Sequence, residues 1–233
     1  MAPRERIAVV KSPMDPIHHG HLALIGHGLQ DPLTSLVCVY PSGGGRLPGV
    51  QRPVASAEHR IKMTQIALAT RLPQDQSRIE LNPSEAGLRT RPPYRSTLGD
   101  VRSRNPRKDL VVIAEPDTAR GYWKELAGSD SLVDGSGKFR LHFHVSLQQD
   151  RHLEPDETRE IKKEFEDFKN SLEGPAKEQL GSLELFRTTF PKDASPAQIR
   201  DAIAQGKRFE DWVHPDVAAY IKQNGLYRPR FPV

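Results

Sequence analysis

The stretch RIAVVKSPMDPIHHGHLAL, Arg6 to Leu24, decides the fold. Its first part, RIAVVK, is a short apolar run that reads as a buried strand ending at Lys11 and Ser12. After it, Leu22, Ile25 and Leu29 recur at helical spacing, so a helix is expected to start close to His21. A strand running through a short loop into a helix is the opening unit of an open α/β sheet. Ligands of such sheets bind outside the carboxyl ends of the strands. The loop carries His18, His19, Gly20 and His21, at the place where a helix N-terminus offers free N–H groups and the positive end of its dipole. Gly20 lets backbone approach a ligand closely. Histidines placed there can donate hydrogen bonds to phosphate oxygens as negative charge builds on them. Zinc is the competing chemistry, since His18 and His21 could both reach one metal. No cysteine and no HExxH-type pattern completes a ligand set, so no protein metal ligand is expected. The bland alternative is a group of surface histidines without function.

Working outward, SLVCVYP is a second strand and RIEL a third. Between them SAEHRIKMTQIALATRL opens with Ser56 as candidate N-cap and lines Met63, Ile66, Ala67 and Thr70 along one helical face. DLVVIAE is continuously apolar, as central parallel strands are. FRLHFHVSL alternates strictly and is expected to be half-buried, and LELFRT is a further strand. SPAQIRDAIAQG and HPDVAAYIKQNG read as helices, each closed by glycine. Strands alternating with helices predict an α/β fold: a doubly wound, Rossmann-like parallel sheet with helices on both faces. We expect one domain over 1–233, with an insertion over about 124–184 and a C-terminal helical part over about 195–233.

The segment EPDETREIKKEFEDFKNSL, Glu154 to Leu172, interrupts the simple alternation. It is a strongly charged helix with Ile161, Phe165, Phe168 and Leu172 on one face. The expectation is an inserted helix packed on the sheet. A docking face for a partner subunit is the sharper alternative.

Composition limits the partners. The 233 residues are 36% hydrophobic and 27% charged, with net charge +4. Lys and Arg are scattered without a long basic run, which suits small anionic ligands and gives no footprint for nucleic acid. The one cysteine, Cys38, lies in an apolar strand and permits no disulfide framework. No apolar run reaches membrane-spanning length, and MAPRERIAVVKSP has no signal-peptide core. A soluble cytoplasmic protein without membrane or nucleic-acid partners is expected, with a homo-oligomer left open.

The loop also resembles a known signature. DPIHHGHL is similar to the FDPxHxGH motif of the nucleotidylyltransferase superfamily, with His18, Gly20 and His21 matching its core. SAEHRIKM resembles the saeHRxxM helix start of nicotinamide- and nicotinate-mononucleotide adenylyltransferases. GKRFEDWVHPDVAAYIKQNGLY resembles their C-terminal segment, SPAQIR stands where they carry SSTxIR, and VVIAEPDTARGYW stands where they have a strand, a GxD loop and a tryptophan. The resemblance covers both ends and fails between about Lys124 and Glu184.

The resemblance implies a one-step displacement. A phosphate of an acceptor mononucleotide attacks the α-phosphate of a nucleoside triphosphate, ATP by the subfamily pattern, and pyrophosphate leaves. Catalysis is then alignment and charge stabilisation. By the same pattern His18, His21 and Arg200 are catalytic, with His21 the main stabiliser. Lys11, Ser12, Gly20, Asp117, Ser195 and either Arg46 or Arg52 bind the nucleotide, and Trp123 and Tyr94 line the acceptor site. Trp123 reads equally well as a core residue. Mg²⁺ would bridge phosphates with few protein ligands.

The chain departs from the family where Lys11 and Ser12 replace two glycines and where Pro196 and Ala197 replace two hydroxyl residues. A divergent member is implied. Two alternatives stay open: a relative using CTP or another phosphate or phosphonate acceptor, and a nucleotide-binding relative without turnover.

Overall fold

A computed structural model describes residues 4–44, 54–132, 139–148, 155–188 and 195–228 of the chain. In chain order its elements are β1 (Arg6–Ser12), α1 (His19–Gln30), β2 (Thr34–Pro41), α2 (Ala57–Arg71), β3 (Ile79–Leu81), α3 (Tyr94–Arg104), β4 (Asp109–Ala114), α4 (Pro116–Leu126), β5 (Leu141–Gln148), α5 (Pro155–Ser171), α6 (Gly174–Gln179), β6 (Leu180–Thr188), α7 (Pro196–Ala204) and α8 (Pro215–Gln223). The strands form one six-stranded sheet in the order β3-β2-β1-β4-β5-β6. Its β1–β4, β4–β5 and β5–β6 pairs are parallel. This is the strand order of a Rossmann-like doubly wound sheet. No described helix is long and apolar enough to cross a membrane.

The chain divides into two compact units. The first holds 1–10, 24–38 and 92–189, and the second 11–23, 39–91 and 190–233. In the first unit β4 is buried along its whole length, Leu110 to Ala114, as its unbroken apolar run requires. The glycine of α1 that faces it, Gly28, is needed for space. A Cβ there would stand 2.8 Å from Ile113 Cδ1 and 3.2 Å from Val37 Cγ2. The helix therefore packs closely on the sheet.

β5 corrects the sequence reading. Its alternation predicted one wet face, yet His142, His144 and Ser146 are buried along with Leu141, Phe143, Val145 and Leu147. The polar face is covered because α1 brings His27 against His144, with ring centroids 5.2 Å apart. Polar side chains were tolerated there because they find partners. His142 Nδ1, for instance, accepts from the Ser182 backbone N–H at 3.1 Å.

The opposite face of β5 is aromatic. Phe143, Trp123 of α4, and Phe165 and Phe168 of α5 surround one another at centroid distances of 5.6–6.3 Å. Ile161, Phe165, Phe168 and Leu172 are all buried. Each contributes roughly 1.5–3 kcal/mol relative to exposure. Arg120 of α4 adds a charged clasp, its Nε donating to both oxygens of Glu164 at 3.1 and 2.9 Å. The apolar stripe of α5 is thus covered inside its own unit. This agrees with the expectation of an amphipathic helix packed on the sheet.

In the second unit α2 begins at Ser56, whose side chain accepts from the His59 N–H. It lies along α8, with His59 Nδ1 and Tyr220 Oη 2.9 Å apart. α7 is opened by a full capping box: the Gln198 N–H donates to Ser195 Oγ, and the Ser195 N–H to Gln198 Oε1.

Candidate active site

The second unit assembles the histidine loop from the ends of its elements. Ser12 closes β1, and its carbonyl accepts from the Ser42 N–H at 2.9 Å. Ser12 Oγ lies 2.8 Å from His21 Nε2. The backbone N–H of His18 donates to His21 Nδ1 at 3.3 Å, and that of Gly20 to His18 Nδ1 at 3.0 Å. A neutral imidazole whose Nδ1 accepts carries its proton on Nε2. Both rings are therefore set as Nε2–H donors, an assignment that follows from their backbone partners. The ring centroids are 4.0 Å apart. Burial holds His21 down to about 4. It also holds His18 well below the ordinary histidine range, with the neighbouring His21 and His19 acting in the same direction. Both are neutral donors near pH 7. His19 is only half-buried, and the hydrogen bonds described above run between the other two histidines, Ser12 and the backbone.

Three residues fix the loop. Asp15 is 1% exposed, and its carboxylate accepts from the backbone N–H groups of Val54 (2.6 Å) and Ala55 (3.1 Å) and from the Tyr227 hydroxyl (2.8 Å). Arg200 of α7 donates to the Asp15 carbonyl at 2.6 Å and lies 3.6 Å from its carboxylate. Arg60 of α2 is 2% exposed and donates to the carbonyls of Pro13 (2.5 Å), Ser42 (2.7 Å) and Ala86 (2.6 Å). One buried guanidinium thus ties together the loop after β1, the end of β2 and the segment after β3. Gly43 makes that junction possible, because a Cβ there would meet Leu88 O at 2.4 Å and Glu85 O at 2.6 Å.

Lys11, one of the two residues that depart from the resembled motif, is 3% exposed, with Nζ 2.8 Å from Glu85 Oε2. Its charge is matched inside the unit. A buried pair of this kind is costly to break from one side only. The lysine is thus held by Glu85 inside the unit.

A family model described as cytidylyltransferase-like matches residues 13–164. The chain belongs to the cytidylyltransferase-like family. A similar protein of Leifsonia xyli is named "Probable nicotinate-nucleotide adenylyltransferase". It is 34% identical over 226 residues, covering 97% of this chain and 95% of the relative. A Desulfitobacterium hafniense protein of the same name is 27% identical over 97% of this chain and 98% of its own. The fold matches that of the nicotinic acid mononucleotide adenylyltransferase of Plasmodium falciparum, solved in complex with NaAD. The TM-score is 0.64 at 14% identity, covering 96% of this chain and 98% of the other.

Against the sequence expectations, the cytidylyltransferase-like loop brings together Lys11, Ser12, His18, Gly20, His21 and Arg200 within one unit. The Gly20 N–H is taken by His18 rather than left for a ligand. Ser195 uses its hydroxyl in the capping box, so α7 offers its N-terminus through the backbone. Arg46 and Arg52 lie outside the described residues.

The remaining expected residues belong to the first unit. Asp117 stands in the first turn of α4 rather than in a loop and pairs with Arg120 at 3.1 Å. Trp123 is 4% exposed inside the aromatic cluster, and Tyr94 is 6% exposed with its ring 3.8 Å from that of Tyr122. Both rings are core residues here. For Trp123 this agrees with the core reading, since α5 supplies two phenylalanines that pack against the indole.

Sequence reasoning passed over Asp15, Arg60, Glu85 and Tyr227. Asp15 and Arg60 sit inside quoted motifs, and a charged residue in a motif that no ligand role explains was the available signal. Glu85 had no signal at all.

Proposed function

We propose that the chain transfers the adenylyl group of ATP to the phosphate of a pyridine mononucleotide, with nicotinate mononucleotide first, and releases pyrophosphate. The observation that carries this reading is the pair of buried neutral histidines whose Nδ1 atoms are held by backbone N–H groups. Their Nε2–H donors are thereby oriented at the end of β1. The near full-length relatives named for that reaction support the same acceptor class.

An acceptor phosphate oxygen attacks the α-phosphorus. A P–O bond forms there as the bond to the β-bridging oxygen breaks, and the electron pair leaves with pyrophosphate. The protein contributes no covalent step. His21 donates through Nε2 to the oxygens on which charge accumulates, exchanging Ser12 for phosphate as its partner. His18 donates beside it. The N-terminus of α7 and the remaining N–H groups of Arg200 receive the β- and γ-phosphates.

The donor set around the loop is imidazole, hydroxyl, guanidinium and backbone N–H. Its two carboxylates, Asp15 and Glu85, are already engaged. Mg²⁺ fits such a site as a companion of the triphosphate, where it would neutralise phosphate charge while held by phosphate oxygens and water. Both substrates are cytoplasmic metabolites, and that is the compartment we propose.

A pyrophosphate-release screen tests the reading. ATP and CTP are each paired with nicotinate mononucleotide, nicotinamide mononucleotide, phosphopantetheine and a simple phosphonate. Turnover of ATP with a pyridine mononucleotide is expected. Turnover confined to phosphopantetheine or the phosphonate would overturn the acceptor, and release with CTP alone the nucleotide.

A further inference from the structure

The buried polar face of β5 holds a second cluster of chemistry that the phosphate loop does not use. In the parallel β5–β6 pair His144 and Glu184 are register partners, so both side chains leave the same face of the sheet. α1 covers that face and sets His27 over the pair. The His27 ring lies flat on Phe186 of β6, with centroids 3.6 Å apart and planes within 5°. That stacking fixes where its Nε2 points. The atom lies 3.1 Å from His144 Nδ1 and 3.7 Å from Glu184 Oε1, while His144 Nε2 lies 3.5 Å from Glu184 Oε2. One ligand atom from each residue can be chosen so that all lie within 4.8 Å of one another.

We propose that His27, His144 and Glu184 form a binding site for a divalent transition-metal ion, Zn²⁺ foremost, that pins the edge strand β6 to α1. Two imidazoles and a carboxylate are an N₂O donor set. Metal–ligand bonds of about 2.1 Å put tetrahedral ligands about 3.4 Å apart, so three atoms that stand within 4.8 Å of one another need to draw in only slightly around an ion, His144 giving one of its two nitrogens. The two rings are buried or packed and give a fixed base. Glu184, with its side chain 51% exposed, is the arm that can close on an ion arriving from solvent. Water takes the remaining position. Imidazole selects Zn²⁺ and its neighbours in the first row over Mg²⁺, so the Mg²⁺ that accompanies a nucleotide does not compete. β6 stands at one end of the sheet order among the described residues. A metal shared between it and α1 anchors that end.

The test uses tag-free full-length protein stripped with a chelator. Zn²⁺ is titrated against a chromophoric competitor, Co²⁺ is followed by its visible d–d bands, and thermal unfolding is recorded with each. One ion per chain is expected, with a raised Tm, intense tetrahedral-type Co²⁺ bands and no displacement by millimolar Mg²⁺. Glu184→Ala, at an exposed position that leaves the fold intact by circular dichroism, should weaken Zn²⁺ at least about tenfold, and His27→Ala likewise. His18→Ala should leave the stoichiometry at one. Absence of stoichiometric binding overturns the proposal and leaves a hydrogen-bonded cluster. So does binding that survives in Glu184→Ala and His27→Ala but is lost in His18→Ala, which would place the ion on the histidine loop.

Discussion

Ser12 Oγ and His21 Nε2 meet at 2.8 Å, so the hydrogen-bond donor needed for phosphate chemistry is already oriented, with a serine in the place of the substrate. His21→Ala should lower turnover about a hundredfold or more while changing the ATP Kd much less, because the interaction strengthens mainly as the transition state forms. Ser12→Ala leaves the tautomer intact, since the His18 N–H still holds Nδ1. Its effect on kcat should stay below about tenfold, the scale of one neutral hydrogen bond. His19→Ala should be mild. Steady-state kinetics with separately measured ATP binding decide the matter; a His19 variant worse than the His21 variant would reassign the roles.

The depressed histidines set a pH window. Above the ordinary value of 6.5, His21 is neutral in both folded and unfolded chains and stability does not depend on it. Below 6.5 the unfolded chain takes up the proton while the folded one resists until about 4. Stability is therefore lost as pH falls from 6.5 toward 4 and levels off beyond. For His21 the full loss is on the order of 3 kcal/mol. Urea midpoints at pH 7 and pH 4.5 should fall further apart for the unsubstituted protein than for His21→Ala, the other buried histidines being common to both. Equal pH sensitivity in the two would mean that His21 protonates without penalty.

Trp123 separates a packing role from a binding role. Its indole fills the space between Phe143, Phe165 and Phe168. Trp123→Ala should cost about 3–5 kcal/mol of stability, read as a lowered urea midpoint, because the surrounding rings cannot all collapse into the space. Trp123→Phe loses far less. Nε1 has no hydrogen-bond partner among the described residues, so that change leaves no polar group newly orphaned. The ratio of KM for the pyridine mononucleotide to KM for ATP should be unchanged in Trp123→Phe. A selective rise in the acceptor KM at undiminished stability would show that the ring touches the acceptor.

How much of this was legible depended on whether the information was local. The strand β1, the helix α2 with its Ser56 cap and the helix α7 were readable because propensity and cap residues lie within a few positions of each other. α3 was not seen. Its start, Pro93–Tyr94, has no side-chain cap of its own, and the carboxylate that receives the Tyr94 and Arg95 N–H groups, both at 2.9 Å, belongs to Glu125 on α4. β5 was read as half-wet because its polar residues find partners on α1 and β6, far away in sequence. The same holds for the site. His18, Gly20 and His21 announce themselves, while the pairing of Lys11 with Glu85 and the engagement of Asp15 by Tyr227 appear only once the chain is folded.

Arg200 has two duties, and they can be told apart. It holds Asp15 through the carbonyl at 2.6 Å and faces the carboxylate at 3.6 Å, while its guanidinium is also the cation of the α7 motif proposed to receive the β- and γ-phosphates. Arg200→Lys keeps the charge but loses the two-pronged donor, so ATP–Mg²⁺ binding should weaken severalfold. Arg200→Ala should weaken it by more than about tenfold and lower the Tm, because a charge-assisted hydrogen bond to a buried loop is lost as well. Tyr227→Phe is the control. It removes the 2.8 Å bond to the same Asp15 carboxylate without altering any cation. It should cost about 1 kcal/mol of stability and leave ATP binding nearly unchanged. The measurements are Kd for ATP–Mg²⁺, Kd for the pyridine mononucleotide and Tm on all three variants, with the mononucleotide Kd expected to stay constant throughout. If Tyr227→Phe weakened ATP as much as Arg200→Ala does, Arg200 would act only by shaping the Asp15 loop. The phosphates would then be held by the histidines and the helix N-termini alone.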